Sequence, residues 1–71
     1  MSIEAINTKN QFKGRIKEIV SGPVVSEVDV ETPAGIITSV ITSRSLRDLD
    51  LKVGQDVMAV FKATEVLIAK P

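Results

Sequence analysis

Hydrophobic and polar residues alternate along much of the chain, and the alternation is clearest over residues 24–31. Positions 24, 26, 28 and 30 are Val or Ser, whereas the positions between them are mostly acidic. A period of two over these eight residues is typical of a half-buried antiparallel strand. Similar runs predict five strands in all, over residues 11–20, 24–31, 36–42, 56–62 and 66–69.

Turn and helix signals separate these runs. Residues 21–23 (Ser-Gly-Pro) and 32–35 (Thr-Pro-Ala-Gly) are typical of tight turns, so the first three strands should form an antiparallel meander. The alternation breaks over residues 43–49, where Thr42 or Ser43 can cap a short helix with Leu46 and Leu49 on one face. We therefore predict an all-β fold, a five-stranded OB-like Greek-key barrel with one short helix between strands 3 and 4.

The chain is small, and we expect a single domain over residues 1–71, with residues 1–5 poorly ordered or pairing at a sheet edge. Domains of this size bury only about 60% of their unfolded surface and usually need disulfides, a metal or oligomerisation. The sequence has no Cys and no His for the first two devices. Because the predicted strand over residues 56–62 is apolar on both faces, we expect a homo-oligomer that buries its second face.

Charge and aromatic content argue against several functional classes. Nine basic and nine acidic residues cancel, and the aromatic residues are two Phe, so neither a basic groove nor a base-stacking surface for nucleic acid is indicated. Without His, Cys or two carboxylates paired in an apolar setting, we expect no enzyme. No apolar run approaches the roughly 18 residues of a membrane span, and no targeting segment is evident, so we expect no membrane partner and a cytoplasmic location.

Three short polar stretches interrupt the strand pattern and are the candidates for chemistry. They are residues 7–10 (Asn-Thr-Lys-Asn), 42–45 (Thr-Ser-Arg-Ser) and 62–64 (Lys-Ala-Thr). Taken singly, a Thr or Ser here is more often a helix cap, and a Lys is more often a solvated surface charge. Together they supply hydroxyl, amide and ammonium donors, which a tetrahedral oxyanion needs because its oxygens only accept hydrogen bonds. Their spacing alone does not show that they meet.

Several short motifs, in their order and spacing, resemble those of a known protein family. Together they cover nearly the whole chain, from about residue 5 to residue 70. The motifs are Asn10-Gln11-Phe12-Lys13-Gly14, Gly22, Ile41-Thr42 with Ser45, Leu49-x-Leu51-x-Val53-Gly54, and Ala59-Val60-x-Lys62-Ala63-Thr64-Glu65-Val66. In these the chain resembles the Mop family of molybdenum-pterin-binding proteins, or molbindins. The resemblance implies an OB-like barrel assembled as a hexamer, a trimer of dimers. It also implies storage or homeostasis of molybdate, or of tungstate, bound between subunits as the bare oxyanion with no organic cofactor.

The resemblance also implies which residues bind the oxyanion. A Ser-Ala/Gly-Arg-Asn motif of the family falls on Asn7, Thr8, Lys9 and Asn10, an Ile-Thr-x-x-Ser motif on Thr42 and Ser45, and a Lys-Ala-Thr/Ser motif on Lys62, Ala63 and Thr64. Lys62 would be a direct ligand. The first motif departs from the family pattern, since Asn7 replaces Ser and Lys9 replaces Arg. A Lys keeps the charge but not the planar, two-pronged donor of Arg, so affinity and oxyanion preference are the properties affected.

Two other interpretations remain open at the level of sequence. The departures at Asn7 and Lys9 leave room for a purely structural oligomeric module with weak or no oxyanion binding. A nucleic-acid-binding OB barrel is a second alternative, supported only by analogy of fold.

Discrimination between molybdate and sulfate cannot come from charge, because both anions carry two negative charges. We therefore expect the size of the cavity and the placement of its donors to provide the selectivity.

Overall fold

The computed structural model describes residues 7–71 and shows one curled antiparallel sheet with a short helix. The strands lie in the order β3-β2-β1-β4, so β1 is paired on both sides. The prediction for residues 1–5 lies outside the described residues. The elements, in chain order, are β1 (Asn10–Val20), β2 (Val25–Thr32), β3 (Gly35–Thr42), α1 (Ser43–Asp48), β4 (Asp56–Phe61) and a one-turn 3-10 helix (Ala63–Glu65).

The predicted meander of the first three strands is confirmed. β1 pairs with β2, with a β-bulge between Ile16 and Glu18, and β2 pairs with β3 along its whole length. The hairpin between β2 and β3 is closed by Thr32, whose hydroxyl accepts from the Ala34 N–H at 3.1 Å and donates to the Gly35 carbonyl at 2.8 Å. Gly35 has a φ of +110°, a conformation that favours glycine.

The core lies where the alternation of β2 places it. Among the described residues the fully buried hydrophobic side chains are Ile16, Val28 and Val30, and the alternate positions Ser26 and Thr32 are buried beside them. Half-buried side chains from β1, β3, β4 and the segment around α1 pack against this cluster; they are Ile19, Ile41, Leu46, Leu51, Val57 and Ala59. The core is therefore small. This agrees with the expectation that a chain of this length can bury only a limited fraction of its surface.

The predicted helix between strands 3 and 4 is confirmed, and the structure settles its cap. Thr42 is the N-cap, because its hydroxyl accepts from the Ser45 N–H at 3.0 Å. Leu46 and Leu49, which were predicted to lie on one face of the helix, differ in burial: Leu46 packs against the core, whereas Leu49 is 65% exposed. The helix ends there, with Leu49 as its C-cap, and Leu51 takes the place against the core instead.

The predicted fifth strand and the closed barrel are not formed in one chain. Residues 66–69 belong to no strand, and Leu67 and Ile68 are 92% and 90% exposed. Val66 does have an extended backbone, with φ −90° and ψ 122°. The β-branched residues Val66 and Ile68 favour that conformation, but a strand also needs a neighbouring edge, and no described strand runs beside this segment. The sheet is accordingly open, with β3 and β4 at its edges.

The two faces of β4 meet different surroundings. Val57 and Ala59 pack against the core, whereas Val60 on the other face is 38% exposed. An open groove of about 760 Å³ runs beside the core, lined mainly by apolar side chains of β2, β3 and β4. The described part of the chain therefore leaves much of its apolar surface uncovered.

Within residues 7–71, no helix is long and apolar enough to cross a membrane.

Gly14 is predicted to be essential for the close approach of β1 and β2. A Cβ at this position would lie 2.5 Å from the Glu31 carbonyl oxygen and 2.6 Å from Cγ1 of Val30. We expect Gly14→Ala to lower the free energy of unfolding by about 1–3 kcal/mol, because the backbone oxygen cannot move without opening the pairing. Urea denaturation followed by far-UV circular dichroism at fixed protein concentration measures this. The control is Ser21→Ala in an exposed turn, for which a change within about 0.5 kcal/mol is expected; equal stabilities for the two variants would contradict the prediction.

Candidate functional site

Two of the three candidate stretches lie side by side at one end of the sheet. Asn10 at the start of β1 pairs with Phe61 at the end of β4, which places residues 7–10 next to residues 62–64. The Thr8 hydroxyl joins the two stretches, since it donates to the Phe61 carbonyl at 2.6 Å and accepts from the Asn10 N–H at 3.3 Å. We call this group, consisting of residues 7–10 and 62–64, the lysine cluster.

The lysine cluster brings two ammonium groups to the same end of the molecule. Lys9 and Lys62 are both exposed, and neither takes part in an ion pair within residues 7–71. The ion pairs that the described residues do form use Arg15, Lys17 and Lys52. Among residues 7–71, therefore, no carboxylate forms an ion pair with the positive charge of the lysine cluster, and that charge can attract an anion.

The backbone around Lys62 adds hydrogen-bond donors. Lys62 is the N-cap of the one-turn 3-10 helix, in which Glu65 N–H donates to the Lys62 carbonyl at 2.9 Å. The first N–H groups of any helix lack partners within that helix, and here they belong to Ala63 and Thr64. Ala63 can thus contribute only through its backbone, whereas Thr64 has a hydroxyl as well.

Thr8 has a structural task within this cluster. Its single hydroxyl hydrogen is already used by the Phe61 carbonyl, so it could donate to a ligand only by giving up that bond. Gln11, which the sequence analysis did not single out as a site residue, supports the same segment, because its Nε2 donates to the Thr8 carbonyl at 2.6 Å. The signal for Gln11 was its place in the Asn10–Gly14 motif, which by itself indicated no function.

The third stretch forms a separate group, the hydroxyl cluster, which we define as Thr42 and Ser45. The Thr42 hydroxyl donates to the Ser45 Oγ at 2.8 Å while it accepts from the Ser45 N–H. Because each hydroxyl has one hydrogen, this bond uses that of Thr42 and leaves that of Ser45 to point elsewhere. The Ser45 hydrogen has no acceptor among residues 7–71, so Ser45 is the donor that this cluster can offer to a ligand.

The lysine cluster and the hydroxyl cluster lie at opposite ends of the sheet. Asn10 begins β1, whereas Thr42 pairs with Val25 at the start of β2, beyond the point where Val20 pairs with Glu27. The two clusters are separated by the length of β1, on the order of 30 Å along the strand at about 3.3 Å per residue. One chain therefore brings residues 7–10 and 62–64 together but does not bring Thr42 and Ser45 to them.

Beneath the hydroxyl cluster lie two buried hydroxyls. Ser26 was missed as a functional candidate, whereas Ser43 belongs to the candidate stretch 42–45 but was considered individually only as a helix cap. Ser26 and Ser43 are 2% and 3% exposed, and their oxygens are 2.6 Å apart. The sequence did contain a signal for Ser26, because it occupies a core position in the alternation of β2, and a buried polar side chain needs a hydrogen-bond partner.

For the described part of the chain, no group of three or more Asp, Glu, His or Cys residues is placed to hold a metal ion.

Comparison with known proteins identifies the family. Residues 6–68 match the model of the TOBE domain. The chain is 38% identical over 65 residues to molybdenum-pterin-binding protein 3 of Clostridium pasteurianum. This match covers 90% of this chain and 96% of that protein. Among solved structures, a molybdate-binding protein from Sporomusa ovata superposes with a TM-score of 0.88 at 34% identity, covering 94% of this chain and 100% of that one.

A second solved structure contains the same fold within a longer chain. The cytoplasmic molybdate-binding protein ModG, solved with molybdate bound, has a TM-score of 0.78 at 38% identity, and the match covers 84% of this chain and 43% of that one. The OB-like fold predicted from the sequence is thus shared with these proteins. The chain belongs to the TOBE-domain family and, within it, to the Mop group of molybdenum-pterin-binding proteins.

Proposed function

We propose that this protein binds molybdate, and does so as a storage or homeostasis protein without catalysis. The observation that carries the proposal is the pairing of Asn10 with Phe61, which places Lys9 and Lys62 at one end of the sheet without an ion-paired carboxylate among the described residues. A divalent tetrahedral oxyanion needs donors and positive charge, and this end of the sheet supplies both. The named ligands of the related proteins support the choice of molybdate, with tungstate as its close chemical analogue.

The complete site requires more than one copy of the chain. The hydroxyl cluster lies a strand length away from the lysine cluster, so the two can contact one oxyanion only when they come from different subunits. Lys62 and Lys9 would supply charge from one subunit. Ser45 would supply a neutral donor from another, with Thr42 donating to the Ser45 Oγ and thereby orienting its hydroxyl. Asn7, Asn10 and the backbone at Ala63 and Thr64 would complete the donor set.

Uncovered apolar surface supports assembly independently of the site. Leu67 and Ile68 are almost fully exposed, and the open groove beside the core has an apolar lining. Contiguous exposed apolar surface on a soluble chain marks an interaction site. We infer that copies of this chain cover that surface in a homo-oligomer, and the hexamer, a trimer of dimers, is the assembly that the family resemblance implies.

The lysine at position 9 bears on affinity more than on the existence of the site. An ammonium group is a compact point charge, whereas the guanidinium of Arg offers two parallel donors in a fixed plane. We propose that Lys9 attracts the oxyanion and leaves its orientation to the other donors. A cytoplasmic location is part of the proposal and rests on the similarity to ModG, which is described as cytoplasmic.

Gel filtration with light scattering, run with and without molybdate and with molybdenum measured in the protein peak, tests the proposal. We expect a particle several times the 7.7 kDa monomer mass that carries molybdenum. Tungstate should displace the molybdenum, whereas excess sulfate should not. An oligomer without molybdenum would instead favour a structural module, and a monomer that binds molybdate would contradict the placement of the site between subunits.

Removing the charge of Lys62 should weaken binding without disrupting the assembly. We expect Lys62→Ala to raise the Kd for molybdate by at least about tenfold, because hydrogen bonds to charged groups contribute about 1.5–3 kcal/mol. Isothermal titration calorimetry measures the Kd, and light scattering checks the mass. The matched control is Lys17→Ala, which removes an exposed lysine that is ion-paired with Glu31 away from both clusters. Equal binding by the two variants would show that Lys62 does not contact the oxyanion.

Ser45 should matter through its hydroxyl hydrogen. We expect Ser45→Ala to raise the Kd for molybdate about three- to tenfold, since one neutral hydrogen bond contributes about 0.5–1.5 kcal/mol. The Thr42 cap keeps its bond from the backbone N–H of residue 45, so the melting temperature should change little. Ser39→Ala on β3 is the control. Ser39 is an exposed serine, and Ser45 is half-buried, but Ser39 lies outside both clusters. Unchanged affinity in Ser45→Ala would remove the hydroxyl cluster from the site.

A further inference from the structure

A closed cycle of hydrogen bonds lies beneath the hydroxyl cluster. The Gly22 N–H lies 3.4 Å from the Ser26 Oγ, the Ser26 Oγ lies 2.6 Å from the Ser43 Oγ, and the Ser43 hydroxyl donates to the Gly22 carbonyl at 2.7 Å. Both serine side chains are at least nine-tenths buried. The cycle therefore joins three parts of the chain, which are the turn before β2, β2 itself and the first residue of α1.

Counting hydrogens fixes the direction of the cycle. The hydroxyl of Ser43 has one hydrogen, and it is used by the Gly22 carbonyl, so the bond between the two serines must use the hydrogen of Ser26. Ser26 in turn accepts from the Gly22 N–H. Every donor in the cycle has one acceptor, and none is left over. Within residues 7–71, no buried side-chain nitrogen or oxygen lacks a partner.

The cycle leaves the start of α1 little freedom to move. The backbone N–H of Ser43 donates to the Val24 carbonyl at 2.8 Å, so Ser43 is held through both its backbone and its side chain. Gly22 approaches the Val25 carbonyl so closely that a Cβ would collide with it. Thr42 and Ser45 flank Ser43 in the sequence, and their positions are therefore set by the buried cycle.

We propose that Ser26 and Ser43 are positioning residues of the oxyanion site, which hold the bonded pair Thr42 and Ser45 in place and thereby fix the position of the Ser45 donor and the preference for molybdate over sulfate. The inference rests on the proposed function. Molybdate and sulfate carry the same charge and differ in size, so they can be distinguished only by donors that do not move to follow the smaller anion. A hydroxyl cycle buried under the donors provides that rigidity, which exposed lysines at the other end of the sheet cannot.

The energetics of the cycle fit a positioning task. A hydrogen bond between neutral groups adds little net stability, whereas a partner left unsatisfied in the interior is costly. The buried serines therefore hold the turn and the helix start in one relative position more than they raise the overall stability. Loss of either hydroxyl lets the helix start shift to satisfy the groups that remain.

The test compares Ser26→Ala and Ser43→Ala with Thr32→Ala in the full chain. Thr32 is a matched control, because it is also a buried hydroxyl that bonds to the backbone of a turn, but it lies at the far end of β2 from the hydroxyl cluster. Calorimetry gives the Kd for molybdate and for sulfate with each variant. Melting temperature and light-scattering mass give the stability and the assembly.

We expect both serine variants to raise the Kd for molybdate about tenfold and to reduce the ratio of sulfate Kd to molybdate Kd by a similar factor, as happens when groups that orient direct ligands are lost. Thr32→Ala should lower the melting temperature by about as much as the two serine variants do. It should leave the ratio of sulfate Kd to molybdate Kd unchanged. Ser26→Ala is the milder variant, because it retains the bond from Ser43 to the Gly22 carbonyl, and it keeps the test decisive if Ser43→Ala does not fold.

Two results would overturn the inference, and they can be told apart. If the serine variants lose stability but keep the wild-type ratio, the cycle is purely structural, while the proposed function stands. If the wild-type chain binds neither molybdate nor tungstate, the proposed function fails and the positioning role fails with it.

Discussion

The antiparallel pairing of β1 with β2 on one side and β4 on the other is the interaction on which the rest of the structure depends. β1 and β2 are the two interior strands of the sheet, and β1 is the one that pairs with β4. It therefore brings Ile16 into the centre of the core and holds the carboxyl end of β4 against residues 7–10. The same strand is long enough to keep Thr42 away from that end. The division of the candidate residues into two clusters is thus a direct consequence of its length.

A sheet with two open edges cannot finish its own core. The buried hydrophobic cluster of the described chain is small, and apolar side chains such as Leu67, Ile68 and Val60 face outward. In the proposed assembly other copies would cover them, and the same contacts would bring the lysine cluster of one subunit to the hydroxyl cluster of another. In that proposal the same subunit contacts would complete both the burial of apolar surface and the oxyanion site.

The sequence predicted local features well and tertiary partners less well. The alternation over residues 24–31 correctly placed Ser26, Val28 and Val30 on the buried face, because the period of a strand is a local property. The apolar run at residues 66–69 also predicted a strand. There Val66 has an extended backbone, but no strand of residues 7–65 lies beside the segment, and pairing is not a local property. The site residues came from the motif resemblance. The hydrogen-bond roles of Thr8, Gln11 and Ser43 could be recognised only from the structure.

Charge and geometry are divided between the two ends of this chain. In the proposed site the exposed lysines would supply attraction, which is long-ranged, screened by salt and equal for any divalent oxyanion. The Ser45 hydroxyl, held in place by the helix cap and the buried serines, would supply a fixed donor position that distinguishes anions by size. In the proposed assembly neither end suffices alone, so oxyanion binding and subunit association become thermodynamically linked: a ligand that contacts two subunits binds the assembly and not the separate chains, and it stabilises the assembly by mass action. Free oxyanion concentration would then set the occupancy and add to the stability of an assembly that apolar burial already favours, with no titrating histidine needed for release.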